Sequence, residues 1–214
     1  MNKWEYGEIY KKYDMKGIIN LPNNSKVRVC DLILDMPSFM KEADILFCDP
    51  PCSKGNLSTF YTKSDKINEN NYEIFYNSLF KRIDQINPER LFIEVFKSNI
   101  NIFLKECEKR FINVSYYNSK YYNNTKNKCW IIQASNKEIV FPEKENLDEE
   151  KFIKWICDEL SFTCIGDLCM GMGLVGKYAY LNNKKFVGIE LNKKRLALLI
   201  DFINRKENNG MEIL

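Results

Sequence analysis

Short apolar runs alternate along the chain with longer segments in which apolar side chains recur every three or four residues. The runs have the length and composition of buried β-strands. Seven strands are predicted, at residues 27–30, 45–48, 91–95, 112–117, 129–133, 163–167 and 186–189. Helical periodicity is clearest from Tyr72 to Ile83, and further apolar stripes begin at Phe152 and Leu196. Asn192 or its neighbour is expected to cap the last of these helices.

The order of these elements predicts an α/β fold. Strands that alternate with helices form a mostly parallel sheet with helices on both faces. The alternation fails once, where only the polar residues 118–128 separate two strands. That connection is too short for a helical crossover, so it predicts an antiparallel hairpin. We therefore expect a seven-stranded sheet with one antiparallel strand near an edge, in a single domain over residues 1–214.

The composition limits the types of catalytic and metal site that the chain can form, because none of the 214 residues is histidine. Serine–histidine and cysteine–histidine nucleophilic sites, mixed cysteine–histidine zinc sites and imidazole-bound haem are excluded. Catalysis would have to use carboxylates, backbone groups, thiols or a bound cofactor. The net charge of +3 is too close to neutral to indicate a nucleic-acid partner by itself, although it does not exclude one.

Eight cysteines raise the question of disulfides or a metal site. They stand at positions 30, 48, 52, 107, 129, 157, 164 and 169, with no Cys-x-x-Cys pair, and most lie in apolar runs. This distribution favours buried free thiols in a reducing compartment and no metal site. The sequence shows neither an amino-terminal apolar signal nor an apolar run of membrane-spanning length. We expect a cytoplasmic protein that is not bound to a membrane.

The first chemical motif lies at the end of the predicted strand 163–167. Asp167 ends that strand, and Gly171 and Gly173 allow a sharp turn close to a ligand before a helix begins. The next strand is followed by Glu190, which is placed to accept hydrogen bonds from two ribose hydroxyls. This order predicts a nucleoside site rather than an ordinary glycine turn with a surface glutamate. Residues 171–176 also fit the G-x-G-x-x-G pattern of an NAD site, but only one predicted strand follows them.

The second motif lies at the end of the predicted strand 45–48, where the sequence continues as Asp49-Pro50-Pro51. Two prolines fix their own φ and force an extended path on the residue before them. The Asp49 carboxylate and the neighbouring carbonyls therefore form a rigid set of acceptors, which suits an amine nucleophile with two N–H groups. The alternative is a strand that the prolines simply terminate.

Together, the motifs resemble those of the S-adenosylmethionine-dependent amino-methyltransferases of nucleic acids, the N6-adenine/N4-cytosine DNA methyltransferase family. Their signature pairs D/N/S-P-P-aromatic with F-x-G-x-G, and this chain has DPPC at 49–52 and CMGMG at 169–173. The catalytic motif precedes the cofactor motif, as in the circularly permuted beta class. The resemblance covers nearly the whole chain. It implies a Rossmann-like methyltransferase sheet of seven strands, one of them antiparallel.

The resemblance also implies a reaction, which is methyl transfer from S-adenosylmethionine to an exocyclic amino group of a base. Asp at position 49 favours adenine N6, and DNA is favoured over RNA, although cytosine and RNA stay open. A base in a duplex would have to be flipped out. The implied catalytic residues are Asp49, Pro50, Pro51 and Cys52. The implied cofactor-binding residues are Asp31, Asp167, Cys169, Gly171, Gly173 and Glu190.

Two residues depart from the family signature. Cys52 replaces the aromatic residue that stacks on the base, and Cys169 replaces the phenylalanine of the cofactor motif. Either Phe60 or Tyr61 is expected to supply the stacking instead, or the site holds its base loosely. The loop at 116–128, which includes Tyr121 and Lys126, mixes rings and cations that suit a nucleic acid, but it fits a plain hairpin loop equally well.

The segment 134–148 is too short for the target-recognition domain that this class carries between the hairpin and the cofactor half. We therefore expect a bare catalytic core with little sequence preference, or one that takes its specificity from a partner chain or a second copy in a homodimer. A non-catalytic methyltransferase-fold subunit that supports an active partner is the alternative. An NAD-dependent oxidoreductase is a more distant one.

Overall fold

The computed structural model of the protein describes residues 6–67, 71–121 and 128–208. Within these ranges, eight strands form one sheet: β1 (Ile18–Leu21), β2 (Ser25–Val29), β3 (Ile45–Cys48), β4 (Arg90–Val95), β5 (Asn113–Lys120), β6 (Lys128–Ser135), β7 (Cys164–Asp167) and β8 (Lys185–Glu190). The α-helices there are α1 (Lys54–Lys63), α2 (Tyr72–Ile86), α3 (Ile100–Glu108), α4 (Glu149–Glu159), α5 (Leu174–Leu181) and α6 (Lys193–Asn208).

The strand order is β1-β2-β8-β7-β3-β4-β6-β5. From β2 to β4 all pairings are parallel, whereas β6 is antiparallel to both of its neighbours, β4 and β5. All seven predicted strands and the predicted hairpin are therefore confirmed. The strand count was wrong, because β1 adds a second antiparallel strand at the edge beside β2. Its apolar run is short and half-exposed, and the turn that pairs it depends on left-handed Asn23 and Asn24.

Helices cover both faces of the sheet, as predicted. Phe75 of α2 and Phe103 of α3 belong to the core on one face, and Phe152 of α4 and Leu199 of α6 to the core on the other. Asn192 caps α6 by accepting a hydrogen bond from the Lys194 N–H at 2.9 Å. The helices α1 and α3 were not predicted. In α1 only two side chains are buried, so its apolar periodicity is weak.

The sheet has a switch point between β7 and β3, which are neighbours. From β7 the chain proceeds outward to β8, whereas from β3 it proceeds in the opposite direction to β4. In such sheets a ligand binds beyond the carboxyl ends of the strands at the switch point. Asp167 ends β7 and Asp49 follows β3, so the pairing of these two strands brings both sequence motifs to this place.

All eight cysteines are free thiols, and only Cys52 and Cys169 among them are partly exposed. No helix in the described part of the chain is both long and apolar enough to cross a membrane.

Candidate active site

A cavity of about 870 Å³ follows the carboxyl edge of the sheet. Six strands that run in the same direction deliver residues to its lining. In sheet order these are Asp31 after β2, Glu190 in β8, Asp167 in β7, Asp49 after β3, Phe96 after β4 and Tyr121 after β5. Other predicted site residues also line the cavity, namely Pro50, Pro51, Cys52, Phe60, Tyr61, Cys169 and Gly171. Gly173 lies just behind the lining as the N-cap of α5, and Lys126 lies outside the described residues.

The glycine turn needs both of its glycines, for different reasons. Gly171 and Gly173 have φ of +54° and +77°, in the left-handed region that a side chain disfavours. A Cβ on Gly173 would stand 2.7 Å from the Cβ of Leu199, so this glycine also permits α6 to pack against the turn. A Cβ on Gly171 would meet nothing closer than Arg195 at 3.8 Å. Gly173 therefore allows α6 to pack against the turn, whereas Gly171 leaves space open in the cavity.

The Glu190 carboxylate is fixed by backbone donors at the end of β8. Its Oε2 accepts from the Gly171 N–H at 2.7 Å and its Oε1 from the Asn192 N–H at 2.9 Å. Each oxygen can accept one more hydrogen bond from a ligand in the cavity. Burial raises the pKa of Glu190, and the nearby Arg195 guanidinium opposes that rise. Arg195 itself lies 4.7 Å from the centroid of the Phe60 ring and donates to the Tyr6 hydroxyl at 2.8 Å.

Four aromatic side chains lie on two sides of Asp49. Tyr61 is 3% exposed and donates its hydroxyl to Asp31 at 2.7 Å, and Phe60 lies against Arg195. Both rings are thus on the β2–β8 side of the cavity. Phe96 and Tyr121 form an edge-to-face pair on the β4–β5 side, with ring centroids 5.3 Å apart.

The turn that follows β3 lines the cavity and has two acceptors that are free within the described part of the chain. Among the described residues, no donor hydrogen-bonds to the Asp49 carboxylate or the Pro50 carbonyl. The next two carbonyls are occupied: Tyr72 donates its hydroxyl to Pro51 O at 2.9 Å, and Asn99 donates Nδ2 to Cys52 O at 2.7 Å. Burial raises the pKa of Asp49 to about 7, and Arg195 opposes the rise.

The cavity is acidic. Its lining carboxylates in the described ranges are Asp31, Asp49, Asp148, Glu149, Glu150, Asp167 and Glu190, against the cations Lys63, Lys177 and Arg195. Burial raises the pKa of Glu149 and Asp167 well above the usual range, and Asp49 adds to both shifts through charge repulsion. A cationic ligand would relieve this repulsion. In the described ranges, no group of three or more histidine, cysteine, aspartate or glutamate side chains could hold a metal ion.

Sequence reasoning missed several residues of the site. Phe96 directly follows a predicted strand, so the rule that located Asp49 and Asp167 could have found it. Tyr72 and Asn99 carry no local signal, because each reaches the turn only through the packing of its helix.

Known proteins resemble the chain in fold rather than in sequence. No protein-family model and no curated protein sequence matches the chain significantly. Solved structures do match. M1.HpyAVI in its SAM complex is 14% identical with a TM-score of 0.59, over 83% of this chain and 98% of that chain. TTHA0409 of Thermus thermophilus, described as a putative DNA modification methylase and complexed with S-adenosyl-L-methionine, is 13% identical with a TM-score of 0.60, over 88% and 94%.

A third match is the cytosine-N4-specific PvuII DNA methyltransferase, which is 10% identical with a TM-score of 0.53, over 91% of this chain and 98% of that chain. The chain therefore has the fold of solved DNA methyltransferases, and the predicted fold is confirmed. At this level of identity the likeness establishes the fold, and function has to be argued from the site.

Proposed function

We propose that the protein is an S-adenosylmethionine-dependent DNA methyltransferase that acts on an exocyclic amino group, with adenine N6 as the favoured target. The observation that carries the proposal is the position of the free Asp49 and Pro50 acceptors. They stand at the switch point, beside the glycine turn and Glu190, in one cavity. DNA as the substrate is supported by the DNA methyltransferases that share the fold.

The cavity suits this cofactor in charge and shape. S-adenosylmethionine carries a sulfonium cation, from which it supplies an electrophilic methyl group, and the lining carboxylates outnumber the lining cations. Glu190 is held where it can accept from ribose hydroxyls. Gly171 leaves open space at the turn. We infer that Asp31, Asp167, Cys169, Gly171, Gly173 and Glu190 form the cofactor half of the site.

The other half of the site prepares the amine. Asp49 and the Pro50 carbonyl accept its two N–H groups, which localises the nitrogen lone pair and stabilises the positive charge that develops on it. The ionised form of Asp49 performs this role best. After transfer the nitrogen is acidic and loses its proton readily, so no imidazole is required. Cys52 and the rings of Phe60, Tyr61, Phe96 and Tyr121 are the remaining lining candidates for contact with the base.

We further infer that the chain acts as one catalytic domain without a target-recognition domain. Only residues 136–148 connect β6 to α4. Sequence specificity would then come from a partner chain or a second copy, and the protein alone should show little.

Transfer of a tritiated methyl group from S-adenosylmethionine tests the proposal directly. DNA and RNA, each single- and double-stranded, serve as substrates, and the labelled base is identified after hydrolysis. We expect N6-methyladenine from DNA, and a loss of about 100-fold in Asp49→Ala because an electrostatic contact to the transition state is removed. The matched control is Asp158→Ala, which removes an exposed carboxylate of α4 that does not line the cavity. Equal labelling by the wild type and Asp49→Ala would refute the catalytic assignment.

A further inference from the structure

We propose that Tyr72 and Asn99 are positioning residues that decide which acceptors of the turn 49–52 face the cavity. The inference rests on the proposed function and extends it to two residues outside both sequence motifs. Neither residue lines the cavity among the described residues, so both would act through the backbone of the turn.

The two side chains form one connected clamp. The Tyr72 hydroxyl donates to the Pro51 carbonyl at 2.9 Å, and Asn99 Nδ2 donates to the Cys52 carbonyl at 2.7 Å. Asn99 Nδ2 also donates to the Tyr72 hydroxyl at 3.1 Å. The clamp therefore joins the start of α2 and the start of α3 to the turn between β3 and α1.

The clamp acts on the part of the turn whose direction the two prolines do not fix. Pro50 and Pro51 have no N–H, so they cannot form the hydrogen bonds that usually order a turn. Pro51 restricts ψ of Pro50, but no proline follows Pro51 or Cys52, so ψ of these two residues stays free, and ψ sets the direction of a residue's own carbonyl. With the Pro51 and Cys52 carbonyls held by the clamp, the Pro50 carbonyl and the Asp49 carboxylate are left as the acceptors for an amine.

The local structure around Asn99 supports a role in the clamp. Asn99 is the N-cap residue of α3, where an asparagine usually accepts a hydrogen bond from the first turn of the helix, yet its side chain makes no capping bond. The cap residues of neighbouring helices do make that bond: Ser53 caps α1 and Asn71 caps α2. The Asn99 side chain therefore makes no bond to the first turn of its own helix, and its Nδ2 bonds to the distant turn.

Tyr72 is suited to act as a permanent donor. It is half-buried, and burial raises the pKa of its hydroxyl to about 12, so the proton stays in place at any pH used for an assay.

The test uses Tyr72→Phe, Asn99→Asp and the double variant, with Tyr10→Phe as the matched control because Tyr10 does not line the cavity and its ring contact with Lys193 is kept by phenylalanine. We expect kcat for methyl transfer to fall about tenfold to a hundredfold in each single variant, as for other misplacements of a reacting group. The KM for S-adenosylmethionine should stay unchanged. The double variant should lose little more than the worse single one, because the two side chains share a hydrogen bond.

A second measurement does not depend on activity. The partly exposed Cys52 thiol belongs to the turn, so the rate at which a maleimide alkylates it reports how well the turn is ordered. The intact protein is labelled, then digested, and the labelled peptides are quantified by mass spectrometry. We expect faster alkylation of Cys52 in both single variants and an unchanged rate at Cys169, the other partly exposed thiol.

The outcomes separate the two proposals. Unchanged Cys52 alkylation in both variants would overturn the clamp. Unchanged kcat in both variants of an active enzyme would overturn its role in catalysis. If the wild type transfers no methyl group but Cys52 is still alkylated faster in the variants than in the wild type, the proposed function is refuted. The clamp then remains as a device that orders the turn.

Discussion

Replacing Gly173 by alanine should strongly destabilise the protein. At φ +77° an L-residue costs about 1–2 kcal/mol in the left-handed conformation. The new Cβ would also stand 2.7 Å from the Cβ of Leu199, a backbone-anchored atom that cannot rotate away. Overpacking of this kind costs about 1–3 kcal/mol. We therefore expect Gly173→Ala to lower the free energy of unfolding by roughly 2–5 kcal/mol.

Two other glycines provide matched controls. Gly171→Ala meets the same φ cost but open space, so it should lose only about 1–2 kcal/mol, and its main effect should be weaker binding of S-adenosylmethionine. Gly55→Ala lies in α1 with no atom nearer than 3.8 Å to the new Cβ, and it should gain about 0.4–1 kcal/mol.

Urea unfolding followed by far-UV circular dichroism measures all three. With a slope of about 2 kcal/mol per molar urea, the Gly173→Ala midpoint should fall by roughly 1 M or more. From the highest urea midpoint to the lowest, the expected order is Gly55→Ala, wild type, Gly171→Ala and Gly173→Ala. Coincident midpoints for Gly171→Ala and Gly173→Ala would show that the contact with Leu199 has no energetic weight, and the packing argument would fail.

Three further predictions concern titration and stacking. Glu94 is 1% exposed, and burial raises its pKa well above the usual range, a rise to which the Asp49 carboxylate adds. The folded protein therefore keeps a proton that the unfolded chain releases, so the stability of the wild type should fall as pH rises above about 4.3. Glu94→Gln should unfold at a higher urea concentration than the wild type at pH 8 but not at pH 5. Parallel pH profiles of stability for the wild type and Glu94→Gln would contradict this. Because the pKa of Asp49 is raised to about 7, kcat/KM should rise with pH through that value, and a flat profile from pH 5.5 to 8 would count against ionised Asp49 as the acceptor. Cys52→Tyr supplies a ring on which the base of the proposed substrate can stack, worth about 1–3 kcal/mol, and should lower the KM for DNA about fivefold or more; an unchanged KM would place the base elsewhere in the cavity.

Much of the fold follows from the sequence, because burial on both faces leaves a clear signature. Strands such as β3 and β7 are continuous apolar runs, and the stripe of α2 recurs at helical spacing. An acidic residue at the end of a parallel strand lies at the carboxyl edge of the sheet, where ligands bind. The sequence alone could therefore place Asp49, Asp167 and Glu190 at this edge of the sheet.

The sequence could not show what depends on a weak or distant signal. The edge strand β1 has half-exposed residues and forms because a turn folds it back on β2. Asp31 binds Tyr61, and Arg195 binds Tyr6, through side chains that lie far apart along the chain. No local pattern encodes such pairs.

The sequence by itself determined the chemistry of two turns, one rich in acceptors and one rich in glycine. Only the tertiary structure decided that they share a cavity, because β3 and β7 pair in the sheet although distant along the chain. It also decided which acceptors are free. Tyr72 and Asn99 occupy two carbonyls of the first turn, whereas the Asp49 carboxylate and the Pro50 carbonyl, both of residues that line the cavity, have no hydrogen-bond partner in the described ranges. A hydrogen bond between distant elements depends on how they pack, and packing is a property of the whole fold.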